Sequence, residues 1–257
     1  INWGQEMFDQ AGMVREVTKW DYELRFPEQV PDLLDRGHAI ANSTPKGPVY
    51  LSLPREVLCE QTPLDGVDAP ARLTPAIVTP EPEALARAAH LLTGAKNPLI
   101  IAQRGTGTQA AFDAFAEFVE ARALPVCQYW PNTIALATDH PMHIGWSPDA
   151  FLEEADVVLV LDSLTPWWPD KVTLRPDLRV IQLGPDPLFS RTPVRGFPAD
   201  VTLAGETGPT LTALMNAVSA LPADEASLSA RRDRIAGHSR KQRTTARDVA
   251  GKGCTSP

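Results

Sequence analysis

The stretch Asn97-Pro98-Leu99-Ile100-Ile101-Ala102-Gln103-Arg104-Gly105-Thr106-Gly107-Thr108 constrains this chain more than any other. Leu99 to Ala102 is a short apolar run without alternation, the pattern of a parallel strand covered on both faces. Gly105 and Gly107 then permit a tight turn, or the close approach of a ligand to bare backbone. From Thr108 the period changes, and Phe112, Phe115, Ala116 and Val119 recur at helical spacing. A strand, a glycine turn and a helix in that order predict an open α/β sheet, in which ligands sit outside the carboxyl ends of strands beside a helix N-terminus.

The surrounding chain extends this pattern. Residues 81–93 read as a helix with Leu85, Ala88, Ala89 and Leu92 inward and Gly94 as its stop. Strands are predicted at Pro125–Gln128, Asp156–Leu161, Arg179–Gly184 and Asp200–Leu203, with a long loop at Tyr129–Ser147 and helices at Asp149–Ala155 and Thr207–Leu221. Strands alternating with helices over 81–221 define a doubly wound parallel sheet, a Rossmann-like α/β domain. A partial α/β domain precedes it over 1–58: a strand near Val14–Lys19, a helix from Pro27 to about Asn42, and a strand at Val49–Leu53. Prolines 63, 70, 75 and 80 mark 59–80 as an extended linker. After Pro222 the chain turns polar and basic, so 222–257 is expected to be a solvated helix or linker tail.

Composition narrows the classes of function. A net charge of −8 disfavours nucleic acid and anionic membranes as partners. No apolar run approaches the length of a membrane span. Cys59, Cys127 and Cys254 are too few and too scattered for a disulfide framework or a zinc knuckle, and a reducing cytoplasm is the expected compartment. The chain opens on Ile1 and closes on Gly251–Pro257, which suggests a piece of a longer protein.

Gly105-Thr106-Gly107-Thr108-Gln109-Ala110 fits G-x-G-x-x-A in the strand-to-helix context of a dinucleotide fingerprint. The fingerprint also wants a ribose-binding acid at the end of the second strand, where Cys127-Gln128-Tyr129-Trp130 offers none. Asp162 and Ser163 follow one strand and Asp186 another, at positions where such a sheet meets a ligand, or where short polar residues simply end strands. His140 and His143 lack metal-ligand spacing and are expected to have a structural role in their loop; no metal site is expected. Trp167-Trp168, flanked by prolines, reads as packing or interface. From these residues the chain is an enzyme segment, a stand-alone nucleotide-binding α/β module, or an NAD-dependent dehydrogenase.

The passage Thr44-Pro45-Lys46-Gly47-Pro48-Val49-Tyr50-Leu51-Ser52-Leu53-Pro54-Arg55-Glu56-Val57 resembles the closing segment of the pyrimidine-binding domain of thiamine-diphosphate-dependent enzymes. Gln5-Glu6 and Thr18-Lys19 are similar to stretches preceding it in the acetolactate-synthase-like branch. The family's central domain is similar in order through 83–107, Pro125-Val126, His140-Pro141, Gly145, Ala155–Leu159 and Asp186-Pro187.

The resemblance implies a 2-keto acid decarboxylase or carboligase, forming homodimers or homotetramers, with thiamine diphosphate and Mg²⁺ bound between other domains. The family's activating Glu lies upstream of the G-P-V strand. Its diphosphate motif, G-D-G followed by Asn, lies in a third domain and does not occur in this sequence, so the chain alone is expected to be inactive. Gln5 and Lys19 match positions lining the substrate end of the active site, with Gly4 where the branch has Phe. Arg104, Gly105, Thr106, Gly107, Asp162, Ser163 and Asp186 match positions that hold FAD or an adenine nucleotide in some central domains. Flavin-binding members carry G-M-x-G-x-x-G and R-F-D-D where this chain has His143–Ser147 and Leu164–Trp168, which leaves FAD, ADP and an empty structural domain all open.

Overall fold

The computed structural model describes residues 7–61, 72–251 and 253. The chain divides into two compact units, Ile1–Val78 and Thr79–Pro257.

In the first unit, strand β1 (Trp20–Glu23) pairs in parallel with β2 (Val49–Ser52), in register from Trp20↔Val49 to Glu23↔Ser52. Helix α1 (Val30–Asn42) connects them, and Gly37 on its buried face looks onto Trp20, Val49 and Leu51. A short helix α2 (Arg55–Leu58) follows β2. The expected strand near Val14–Lys19 is absent; 3₁₀ turns occupy Ala11–Met13 and Arg15–Val17, and the strand starts at Trp20. The turns let Arg15 bind Asp9 at 2.8 Å and Asp21 at 3.0 Å, contacts that a strand extended over these residues would put out of reach.

The second unit holds a five-stranded parallel sheet in the order β4-β3-β5-β6-β7. Its strands are β3 (Pro98–Arg104), β4 (Val126–Thr133), β5 (Val157–Leu161), β6 (Arg179–Gly184) and β7 (Val201–Ala204). Helices α3 (Pro82–Gly94), α4 (Gln109–Ala121), α5 (Asp149–Leu152) and α6 (Thr207–Ser219) are the expected ones, and α6 packs against both α3 and α4. Every residue of β5 is buried, as are Leu99, Ile100 and Ile101 of β3, so the unalternating runs are the centre of the core. The fold class is therefore the parallel α/β sheet predicted from the strand pattern.

Two segments differ from expectation. Strand β4 continues into the first residues of the predicted loop, as far as Thr133, and the free edge at its start is paired by residues 142–145: Val126 N donates to Met142 O at 2.9 Å and Gln128 N to Gly145 O at 3.0 Å. An edge strand is thus covered instead of left to solvent. The basic segment after Pro222 is one helix, α7 (Glu225–Gly251), whose Leu228, Ile235 and Ser239 are buried. Arg231 donates to Ala123 O, Ala95 O and Arg122 O, each at 2.9 Å, and Arg232 to Glu120 O at 2.9 Å. The arginines expected to be solvated cap the carbonyl ends of α3 and α4, where helix dipoles favour cations.

Candidate functional site at the sheet switch point

The chain leaves β3 for β4 on one side, then returns to build β5, β6 and β7 on the other. The carboxyl ends of β3 and β5 therefore flank the point where strand order reverses, the position at which open α/β sheets place ligands. Arg104 ends β3, and Asp162 and Ser163 follow β5. Arg104 Nη1 meets Asp162 Oδ1 at 3.2 Å. Burial pushes the Asp162 carboxyl above the ordinary Asp range; Arg104 and a hydrogen bond from Thr207 pull it partly back, while the charge of Glu206 adds to the rise.

The turn after β3 uses its glycines in an identifiable way. Gly105 has φ +73°, and a Cβ there would stand 3.0 Å from Thr133 Cγ2 and 3.3 Å from Ile134 O. Gly107 has φ +85°, and a Cβ there would stand 2.7 Å from the backbone nitrogen of Gly208. In a dinucleotide fingerprint the second glycine lets backbone approach a pyrophosphate. Here the first turn of α6 takes that place. Thr106 between the glycines is buried and donates to Thr108 O at 3.3 Å, and Thr108 caps α4 by accepting from Ala111 N at 3.2 Å.

The loop after β6 reaches over the same strand ends. Asp186 Oδ2 accepts from the backbone and the hydroxyl of Ser190, both at 2.8 Å. Phe189 adopts φ +51°, a costly conformation for a bulky residue. The guanidinium carbons of Arg104 and Arg195 lie 5.0 Å and 4.8 Å from its ring centroid. Arg195 also donates to Leu164 O at 3.0 Å, Ser163 O at 2.9 Å and Gln182 Oε1 at 3.2 Å. Gln103 in β3 donates to Trp130 O and accepts from Leu164 N. Ser163 is fully buried, and its hydroxyl has no hydrogen-bond partner.

Arg104, Gly105, Thr106, Gly107, Asp162 and Ser163 are thus brought together, with Asp186 at the root of the loop above them. Sequence reasoning missed Phe189, Arg195 and Gln103. A signal existed for Gln103: it is one of three glutamines set in apolar strands, and Gln128 and Gln182 likewise bond loop carbonyls, at Leu136 and Pro198. Phe189 and Arg195 sit in an irregular loop that offers no periodicity to read.

Gln5 falls outside the described residues. Lys19 Nζ donates to Ile40 O and Ser43 O, each at 2.8 Å, and so closes the carbonyl end of α1. His140 accepts from Met142 N at 3.1 Å, and His143 packs edge-on to Trp146. Among the described residues no three His, Cys, Asp or Glu side chains are grouped to hold a metal. Trp167 is buried against Phe197 at 5.1 Å. Burial raises the Cys127 thiol well above its ordinary value and leaves it inert. No helix among the described residues is long and apolar enough to cross a membrane.

The strand order and its crossovers define an open, parallel α/β domain. The family profile described as "Thiamine pyrophosphate enzyme, central domain" matches residues 85–214, about half of the chain, and the chain belongs to that family. It is 31% identical over 243 residues to a probable 2-ketoarginine decarboxylase of Pseudomonas aeruginosa, covering 91% of this chain and 42% of that protein. It is 24% identical over 229 residues to a probable acetolactate synthase large subunit of Methanocaldococcus jannaschii, covering 83% and 38%. A crystal structure of a candidate thiamin diphosphate-dependent enzyme from Mycobacterium smegmatis superposes with a TM-score of 0.66 at 28% identity, over 80% of this chain and 40% of that one. The chain spans about two-fifths of the length of these relatives.

The described residues do not present a cradle for thiamine diphosphate or its metal. In the glycine turn after β3, Gly208 stands against Gly107, and among the described residues no three His, Cys, Asp or Glu side chains are grouped there to hold a metal.

Proposed function

We propose that this chain is the middle segment of a cytoplasmic thiamine-diphosphate-dependent 2-keto acid decarboxylase or carboligase resembling acetolactate synthase, working as a homodimer or homotetramer. The observation that carries this reading is collinearity: one relationship to a 2-ketoarginine decarboxylase runs through both units, over 91% of the chain. In such an enzyme thiamine diphosphate, held with Mg²⁺, supplies the electron sink for cleaving or making the bond beside a 2-keto carbonyl. The residues of this chain support that chemistry and do not perform it. The first unit brings the end of a pyrimidine-binding domain, and the second a central domain whose crevice holds no reacting group. Residues 1–58, the linker 59–80, the domain 81–221 and the segment from 222 onward are the divisions of this reading, with α7 serving as the brace of the central domain.

The test is CO₂ release by the gene product that carries this sequence, on a panel of 2-keto acids including pyruvate, benzoylformate and 2-ketoarginine. Release from at least one of them that depends on thiamine diphosphate supports the reading. Failure on every member of the panel, with the cofactor bound, overturns it.

A further inference from the structure

The resemblance sets Arg104, Gly105, Thr106, Gly107, Asp162, Ser163 and Asp186 against FAD or an adenine nucleotide, and at the switch point Arg104, Gly107 and Asp162 are engaged by the chain's own side chains and backbone. We propose that the crevice there is self-filled: Phe189 with the guanidinium groups of Arg104 and Arg195 takes the volume of a nucleotide base, and the first turn of α6 takes the place of its diphosphate.

Three independent features carry this. Both glycines of the turn are already used by protein atoms. A Cβ at Gly107 would meet Gly208 N at 2.7 Å, and a Cβ at Gly105 would meet Thr133 and Ile134. The close neighbour is the α6 backbone at Gly107, and the Thr133 side chain with Ile134 O at Gly105. Second, the cation at the end of β3 is committed. Arg104 is paired with Asp162 and lies over Phe189. A dinucleotide entering here must break that pair and bring its own negative charge beside the Asp162 carboxylate. Third, the loop after β6 is tied down over the strand ends. Arg195 donates to Ser163 O, Leu164 O and Gln182, and Asp186 holds Ser190. Phe189 keeps a φ of +51° under these ties, which a bulky side chain adopts only where surrounding contacts fix it. Aromatic and cationic groups over one another are the same chemistry by which proteins stack bases, so the chain supplies in its own loop what a ligand would otherwise bring.

The proposal predicts that loop 185–200 holds its place when no nucleotide is bound. The experiment has two arms. In equilibrium dialysis of the full chain against ADP, FAD and NAD at millimolar ligand, none is retained. In hydrogen exchange without any nucleotide, the amides of Leu164 and Ser190 exchange slowly. Phe189→Gly, which accepts the positive φ without strain, speeds exchange at both while leaving β5 unchanged. Stoichiometric retention of any of the three nucleotides overturns the proposal, most directly if Arg104→Met abolishes it. Exchange of Leu164 and Ser190 at the free-chain rate in the unaltered protein overturns it as well. The wild-type arms stand whether or not the variant folds. Nucleotide retention bears on the crevice alone, and absence of CO₂ release bears on the enzyme reading alone, so the two failures are distinguishable.

Discussion

Arg104 and Asp162 meet across the switch point of the sheet, Nη1 to Oδ1 at 3.2 Å, joining the last residue of β3 to the first residue after β5. The pair is partly buried and unequal. Asp162 is the more enclosed partner, and burial outweighs Arg104 in setting its carboxyl above the ordinary range.

The sign of its pH dependence follows. A carboxyl whose folded pKa is raised contributes stability that is present below its ordinary pKa and is lost as pH rises through the folded value. The unaltered protein is therefore expected to lose some stability on going from acid through the raised value, and Asp162→Asn to lack that part of the slope. Arg104→Met removes the attraction and moves the Asp162 pKa further up, read by carboxyl-carbon NMR titration. Parallel stability curves for wild type and Asp162→Asn, or a downward shift in Arg104→Met, contradict the account.

Helix α7 is expected to be acid-labile. His140, His143 and His238 are all held below the ordinary histidine value, chiefly by burial. His143 faces Arg243 and His140; His140 faces Glu120, Asp139 and Arg243; His238 faces Lys241. A base with a depressed folded pKa contributes stability above its unfolded pKa, and that stability falls away as pH drops through the folded one. The Nε2 of His143 is buried without a partner, so a proton there has no acceptor. Protection of the α7 amides against hydrogen exchange, corrected for the intrinsic pH dependence of exchange, is expected to fall as pH drops below the ordinary histidine range. His143→Phe is expected to blunt that loss of protection. Equal acid sensitivity in the two proteins contradicts it.

Arg231→Met strands the carbonyls of Ala95, Arg122 and Ala123 that the guanidinium now satisfies. The expected loss is about 2–4 kcal/mol of unfolding free energy, from several buried acceptors left without a charged donor. Arg231→Lys is expected to recover little, because one ammonium cannot reproduce the planar fork. Denaturant titration measures both. A cost within experimental error for Arg231→Met shows that α7 is not braced in this way.

Lys19→Met tests a residue with two competing readings. The ammonium bonds Ile40 O and Ser43 O at the end of α1. Its removal is expected to cost about 1–2 kcal/mol and to speed exchange at the carboxyl end of α1, with KM for a 2-keto acid unchanged. A raised KM with undiminished stability assigns Lys19 to the substrate instead.

Much of the second unit could be read from the sequence because its signals are local. The run Val157–Leu161 has no polar residue to break it, and it is the strand at the centre of the sheet. Phe115 and Val119 mark the buried face of α4 by spacing alone. What could not be read depends on contacts between distant residues. Helix α7 is charged around its circumference, and its attachment runs through arginines to carbonyls, which leave no hydrophobic period. The displaced first strand goes with Arg15 meeting both Asp9 and Asp21, contacts that no local periodicity announces.

The glycine turn shows a different limit. G-x-G marks backbone that something must approach closely, and a phosphate or a neighbouring helix places the same demand on the residue. Only the position of Gly208 against Gly107 distinguishes them. Where a ribose-binding acid is wanted, β4 carries Tyr129 and Trp130, which stack on each other at 5.2 Å between ring centroids.

The most direct test of the whole account is a cofactor-omission assay on the gene product carrying this chain, with CO₂ release from a 2-keto acid as the readout. The account predicts that release stops when thiamine diphosphate and Mg²⁺ are removed and returns when they are restored, and that stripping or adding flavin and adenine nucleotides leaves it unchanged. Release that continues without thiamine diphosphate, or that requires a flavin or an adenine nucleotide, contradicts it.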